Sequence, residues 1–292
     1  MKTSKKGTGH LFASISVLIW GVTFISTKIL LDDFTPVEIL FYRFVIGFII
    51  LFLIFPHRLR GTNIKQELMF AAAGLCGVML YFLCENIALT YTLASNVGVI
   101  VSIAPFFTAL FSHWLLGDEK LKANFLLGFI IALAGIVLIN FNGSMILKLN
   151  PIGDLLAVSA AIVWAVYSIL VKKISTYGCN SIQMTRRIFF YALILMLPIL
   201  FLLPFEWDIN KFLKTVNIVN IIFLGMGASA LCYVTWNTAV RLLGAVKTSI
   251  YIYMIPAIAV VTAWLILNEQ ITIFAVCGAI LTMAGLFISE RK

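Results

Sequence analysis

The sequence predicts an all-α polytopic membrane protein whose ten transmembrane helices form two inverted five-helix repeats. Hydrophobic residues make up 62% of the 292 positions and charged residues only 11%, whereas about 25% of the residues of a soluble protein are charged. Apolar runs recur along the chain, and each is close to the roughly 20 residues that a helix needs to cross a bilayer. The second half of the chain also repeats the first.

The repeat is clearest from Gly74 to Glu119, which has a second copy from Gly225 to Glu269. An offset of 151 residues places Asn86 on Asn237, Ala94 on Ala245 and Pro105 on Pro256. Nearer the N-terminus the offset is 144, which places Trp20 on Trp164 and Arg43 on Arg187. We therefore predict one repeat over residues 9–141, with helices 1 to 5, and a second over residues 151–288, with helices 6 to 10.

The predicted helix cores are residues 10–30, 36–55, 67–89, 94–116, 122–141, 151–171, 183–205, 218–240, 245–267 and 271–288. An odd number of crossings in each half means that the second half enters the membrane from the opposite side. Inverted repeats of this kind are common in secondary transporters.

Basic residues near the helix ends predict the orientation. With the N-terminus in the cytoplasm, the inner segments hold fourteen lysines and arginines and the outer segments four. The positive-inside rule then places both termini in the cytoplasm and the chain in the cell membrane. The net charge of +9 follows from this topology and from attraction to anionic lipid, so the lipid bilayer is the expected partner and nucleic acid is not.

Helices 1 and 6 carry matching aromatic and polar faces. Trp20 and Thr23 share one face of helix 1, and Trp164 and Tyr167 share one face of helix 6. Aromatic residues of membrane helices usually anchor the helix at the interface, but both tryptophans fall near the middle of their spans. We therefore expect these residues to line a substrate cavity.

Helix 3 contains Glu85, the one acidic residue predicted to lie well inside a span, with Tyr81 one turn earlier on the same face. A carboxylate there is costly unless it is neutral, paired or exposed to water. Two interpretations stay open: an ion pair with Arg43 of helix 2, or a group that binds a proton, a cation or substrate.

The remaining predicted cavity residues are Asn86 of helix 3, Tyr233, Trp236 and Asn237 of helix 8, and Tyr253 of helix 9. Because Glu85 aligns with Trp236, the chemistry of the cavity is not symmetric even though its scaffold is.

Helices 4 and 9 each place a proline, Pro105 and Pro256, near mid-span. Proline removes a backbone hydrogen bond and clashes with the preceding turn. We expect the two residues to act as hinges; plain structural kinks are the alternative.

Helices 5 and 10 carry small residues at spacings of three and four, namely Gly128, Ala132, Gly135, Gly278, Thr282 and Gly285. Small residues let helix backbones approach closely in lipid. This pattern predicts peripheral packing helices or a homodimer contact.

The sequence shows no phosphate-binding loop, metalloprotease motif or pair of closely spaced cysteines, and its three histidines are far apart. We therefore predict that the protein is not an enzyme and needs no metal or other cofactor.

These residues resemble the EamA family of the drug/metabolite transporter superfamily. The resemblance rests on Trp20-Gly21-Val22-Thr23-Phe24, on Arg43, on the run from Ala88 to Pro105, on the end of helix 4 at Glu119, and on the repeats of these features in the second half. It implies a secondary carrier working by alternating access, with a cavity lined by helices 1, 3, 4, 6, 8 and 9. Many members export amino acids or other small metabolites. The alternative is an importer or facilitator of a small amphipathic or cationic metabolite; a channel or a membrane enzyme fits less well.

Overall fold

The computed structural model describes residues 2–92, 94–116, 123–141, 150–267 and 272–290. These residues form helices joined by short connections, with no strand among them. The predicted helix ends at Asp118, Glu119, Asn268 and Glu269 lie outside the described residues.

The helices are labelled in chain order, and α4 consists of two pieces separated by a break. They are α1 (Lys2–Leu30), α2 (Pro36–Ile54), α3 (Ile64–Tyr91), α4 (Ala94–Val101 and Ala104–Leu116), α5 (Ala123–Phe141), α6 (Pro151–Ile174), α7 (Ser181–Leu202), α8 (Thr215–Leu243), α9 (residues 245–267) and α10 (Ile273–Glu290). Seven spans among the described residues are long and apolar enough to cross a membrane, and the apolar segments within α4, α5 and α10 are shorter. The chain is therefore an all-α polytopic membrane protein, while ten crossings with inverted topology remain a prediction.

The connection between α7 and α8 is fixed to the start of α2 by charged groups. Thr35 and Glu38 cap α2 reciprocally, and the buried Glu38 carboxylate also accepts hydrogen bonds from Lys211 Nζ at 3.0 Å. Beside them, hydrogen bonds from Lys214 and Asn217 hold the pKa of Asp33 below its usual value. This polar cluster joins the two halves at one end of the bundle.

Two repeat-related glycines join the halves inside the bundle. A Cβ atom on Gly74 of α3 would lie 2.7 Å from the carbonyl oxygen of Ile188 in α7. A Cβ atom on Gly225 of α8 would lie 2.6 Å from the side chain of Ile46 in α2. Since neither site has room for a side chain, α3 packs closely on α7 and α8 packs closely on α2.

The small-residue faces of α5 and α10 pack against each other within one chain. A Cβ atom on Gly135 would lie 2.5 Å from the carbonyl oxygen of Gly278, and one on Gly128 would lie 2.5 Å from that of Gly285. The packing role predicted for these residues is thus seen within the chain. A homodimer through α5 and α10, which stays a prediction, would have to use their other faces.

Three of the helices contain turns that differ from the α-helix. π-helical turns occupy Leu75–Leu80 in α3 and Phe223–Leu231 in α8, which overlap at the repeat offset of 151 residues. A 3-10 segment, Ile250–Met254, interrupts α9. Because both kinds of turn change the angular spacing of side chains, they decide which residues face the centre of the bundle.

Candidate functional site

An aromatic cluster built from both halves occupies the centre of the bundle. Trp20 of α1 lies 5.2 Å from Trp164 of α6 and 5.0 Å from Trp236 of α8, measured between ring centroids. Tyr81 of α3 lies 4.9 Å from Trp164, and Tyr233 of α8 lies within 6.0 Å of both Trp20 and Trp164. The sequence-predicted aromatic residues of four helices are therefore in mutual contact.

A small cavity lies against this cluster. Its walls include five of the predicted residues, namely Trp20, Thr23, Tyr81, Glu85 and Trp164. Its volume is about 20 Å³, which is room for about one water molecule. In this conformation the cavity is therefore too small for a metabolite, which can bind there only if the helices move apart.

Two polar atoms at this cavity have no hydrogen-bond partner among the residues that the structure describes. They are the Oε1 atom of Glu85, an acceptor when ionised, and the indole Nε1 of Trp164, a donor. Glu85 is only 1% exposed and Trp164 only 4%. Because a buried polar group without a partner costs free energy, a ligand that offers both a donor and an acceptor would satisfy the two groups together.

Arg43 lies behind the cavity wall and does not form the ion pair that the sequence left open. Its Nε donates to Ser229 Oγ at 3.1 Å, and its guanidinium stacks 4.0 Å from the centroid of the Phe82 ring. Salt bridges among the described residues do not include Arg43 with Glu85. The Nη1 and Nη2 atoms of Arg43 have no hydrogen-bond partner among the described residues. Arg43 and Glu85 therefore interact through their charges without direct contact.

The aromatic cluster also binds backbone carbonyls of the π-helical turns. The indole Nε1 of Trp20 donates to the carbonyl oxygen of Ala228 at 2.9 Å, and the hydroxyl of Tyr233 donates to that of Gly77. Residues 77 and 228 match at the repeat offset. A wide turn in each half is thus held by a side chain from the other half.

Tyr167 and the two predicted asparagines lie in interhelical contacts and not at the cavity. Tyr167 Oη donates to Asn237 Oδ1 at 2.7 Å, and Asn237 Nδ2 donates to Thr185 of α7 at 3.0 Å. Asn86 Nδ2 donates to the carbonyl oxygen of Pro36 at 3.0 Å. Neighbouring helices satisfy the Tyr167 hydroxyl and the Asn237 amide, whereas Asn86 Oδ1 has no hydrogen-bond partner among the described residues. These contacts between helices give the three residues a structural role in this conformation.

Tyr253 is also displaced from the cavity that it was expected to line. It is fully buried in a separate cluster with Phe125 of α5 and Ile250 of α9. The 3-10 segment has about three residues per turn, so the side chains at the cavity are those of Ile252 and Ile255.

The two prolines predicted as hinges each follow an interruption of a helix. The two pieces of α4 are separated at residues 102–103, directly before the piece that contains Pro105. In α9 the 3-10 segment ends at Met254, directly before the α-helical piece that contains Pro256. Matching points in the two halves therefore lack continuous α-helical hydrogen bonding.

Sequence reasoning missed the apolar half of the cavity wall and the partner of Arg43. The additional wall residues are Phe24, Phe82, Val101, Ile252 and Ile255. These residues are of the same types as the apolar residues elsewhere in the spans, so the sequence does not distinguish them as cavity residues.

The fold is that of a polytopic membrane protein whose apolar helices enclose a polar group in an aromatic cavity. A family model described as the EamA-like transporter family matches residues 7–141 and 151–290. The chain therefore belongs to the EamA-like transporter family.

Relatives match over nearly the whole chain. An uncharacterized transporter of Archaeoglobus fulgidus is 26% identical, with 97% of each chain covered. A probable terminal-alkyne amino-acid exporter of Streptantibioticus cattleyicolor is 23% identical, covering 95% of this chain and 92% of that protein. A solved crystal structure at 18% identity has a TM-score of 0.75 over 97% of each chain, which shows a shared fold. The relatives' names fit transport better than catalysis.

Proposed function

We propose that the protein is a secondary carrier that exports amino acids or similar small metabolites across the cytoplasmic membrane by alternating access. The observation that supports this proposal is that one cavity between the two halves holds both Glu85 Oε1 and the indole N–H of Trp164, and that neither atom has a hydrogen-bond partner among the described residues. An α-amino acid offers an ammonium donor to the first group and a carboxylate acceptor to the second. The name of the exporter from Streptantibioticus cattleyicolor is consistent with this substrate class.

A cationic amphipathic metabolite is the second candidate. The rings of Trp20, Tyr81 and Trp164 border the same cavity as Glu85, and aromatic faces attract organic cations. Such a substrate would use the carboxylate and the rings and would leave the Trp164 indole without an acceptor.

Transport assays distinguish the two candidates. The purified protein, reconstituted in vesicles, is offered radiolabelled neutral amino acids and, separately, alkylamines of similar size that lack a carboxylate. We expect the amino acids to be transported and the alkylamines to compete weakly. Efficient transport of alkylamines together with no transport of amino acids would replace the first candidate with the second.

Proton coupling is part of the proposal because Glu85 is a buried carboxylate without a salt-bridge partner among the described residues. Such a group can exchange a proton for a cationic substrate group as access alternates. The same vesicles with an imposed pH gradient should accumulate substrate above its equilibrium level. Transport that only equilibrates substrate, whatever the gradient, would indicate a facilitator.

The helix interruptions before Pro105 and Pro256 are the proposed hinges. Replacing both residues with alanine should restore backbone hydrogen bonds and slow turnover more than it weakens substrate binding. Pro198, which lies inside α7, supplies the control: Pro198→Ala should leave the ratio of turnover to binding unchanged. Unaltered transport by the double variant would exclude hinges at these positions.

A further inference from the structure

A second concave site lies on the surface of the bundle, between the end of α2 and the start of α7. This groove has a volume of about 350 Å³ and combines guanidinium groups with aromatic rings, from Arg58, Arg186, Arg187, Phe48, Phe52 and Phe190. It is separate from the aromatic cavity, since the two share no bordering residue.

The groove carries excess positive charge. Arg187 is neutralised by Glu67, whose carboxylate oxygens lie 2.7 and 2.9 Å from its guanidinium. Arg186 donates to the backbone carbonyls of Phe55 and His57, which are uncharged acceptors. Arg58 is exposed and has no carboxylate within salt-bridge distance among the described residues. Three cations and one carboxylate leave two uncompensated positive charges.

The charged end of the groove continues into an exposed apolar strip. Phe52 of α2 is 47% exposed and Phe190 of α7 is 40% exposed. Further along α7, exposed apolar side chains follow at spacings of three and four on the same helix face, at Ile194, Leu197 and Phe201. In a membrane protein such a strip faces lipid, so the groove joins a cationic end to an apolar track.

We propose that this groove binds an anionic phospholipid of the leaflet that the sequence predicts to be cytoplasmic. The phosphate lies between Arg58 and Arg186, and an acyl chain lies along the strip on α7. No described residue forms a salt bridge with Arg58, and its planar set of N–H donors can bind phosphate oxygens bidentately. Arg186 adds charge and, through its two carbonyl contacts, fixes the end of α2. Basic pockets between helices on the cytoplasmic side suit anionic headgroups, and a free phosphate would make no use of the apolar track.

The test measures lipid binding by the purified full-length protein in neutral detergent, with radiolabelled phosphatidylglycerol or phosphatidylcholine. Wild-type protein should bind phosphatidylglycerol more tightly. Arg58→Gln should weaken that binding about fivefold, the effect of one basic group at an anionic membrane surface. It should weaken phosphatidylcholine binding less, because the choline cation offsets the charge of that lipid's phosphate. The matched control is Arg60→Gln, which removes the same charge from an exposed residue that does not border the groove.

Three results would overturn the proposal. The first is equal binding of the two lipids by wild-type protein. The second is an equal loss in the Arg58→Gln and Arg60→Gln variants, which would indicate general surface electrostatics. The third is displacement of phosphatidylglycerol by inorganic phosphate at the same concentration, which would make the groove a site for free phosphate. Circular dichroism of each variant confirms that the helices are intact.

Discussion

The carbonyl oxygens of Gly77 and Ala228 occupy matching positions of the two repeats, and each accepts a hydrogen bond from an aromatic side chain of the opposite half. Both carbonyls belong to π-helical turns, which are frequent at functional sites. The two halves are thus joined at the aromatic cluster by a reciprocal pair of contacts.

The hydroxyl of Tyr233 should contribute measurably to this junction. In Tyr233→Phe the Gly77 carbonyl loses its side-chain donor, which should cost about 1 kcal/mol of stability. Tyr253→Phe is the matched control, because Tyr253 is also fully buried but its hydroxyl has no hydrogen-bond partner in the described part of the chain. Thermal unfolding in detergent should give a lower Tm for the first variant only; equal Tm values would mean that the Gly77 contact adds nothing.

Gly77 should not tolerate a side chain. Its Cβ atom would lie 2.1 Å from the ring of Tyr167, whereas a Cβ atom on Gly227, in the other π-helical turn, would lie 3.6 Å from its nearest neighbour. Both alanine variants gain helix propensity, but only Gly77→Ala must displace a buried ring, at a cost of about 1 to 3 kcal/mol. We expect a lower Tm for Gly77→Ala than for Gly227→Ala, and the reverse order would show that the ring moves freely.

Inverted topology predicts that equivalent connections of the two halves lie on opposite sides of the membrane. Arg60 lies between α2 and α3, and Asn210 lies between α7 and α8; both are exposed. In a background without native cysteines, Arg60→Cys should react with a membrane-impermeant thiol reagent only after the cells are opened. Asn210→Cys should react in intact cells. Labelling of both from one side would contradict the inverted arrangement.

Helical periodicity was sufficient to predict the cavity position of several residues and insufficient for others. Trp20, Thr23, Tyr81, Glu85 and Trp164 lie in regular helix, or directly beside it, and they border the cavity. Tyr253 lies in the 3-10 segment of α9, where a spacing of 3.6 residues per turn gives the wrong face. The π-helical turns could not be predicted, because their residue types are those of any membrane helix. Only the pattern of backbone hydrogen bonds distinguishes a π-helical turn from an α-helical one.

Asn86 and Asn237 show a second reason why the cavity residues could not all be predicted from the sequence. Their equivalence in the repeats was visible, but a polar side chain in a span can face a cavity or bind a neighbouring helix, and the residue type is the same in both cases. The structure places both amides in bonds to other helices. The hydrogen-bond partner of Arg43 could not be predicted either, because only the packing of α2 on α8 brings Ser229 within reach.

The measurement that tests the proposed function most directly is transport by Glu85→Gln in reconstituted vesicles, with radiolabelled neutral amino acids and a range of pH values. Glutamine keeps the size of the side chain but cannot bind an ammonium group as an anion or carry a proton. If Glu85 is the binding group, the variant should stay folded and its transport should fall at least about tenfold, the effect of losing a charge-assisted hydrogen bond.

Glu206→Gln is the control, because it removes a carboxylate that is 71% exposed and lies outside the cavity; its transport should equal that of the wild type. The proposed function predicts a folded, transport-deficient Glu85→Gln protein beside a normal Glu206→Gln protein. A folded Glu85→Gln protein that transports as well as the wild type at every pH would contradict it.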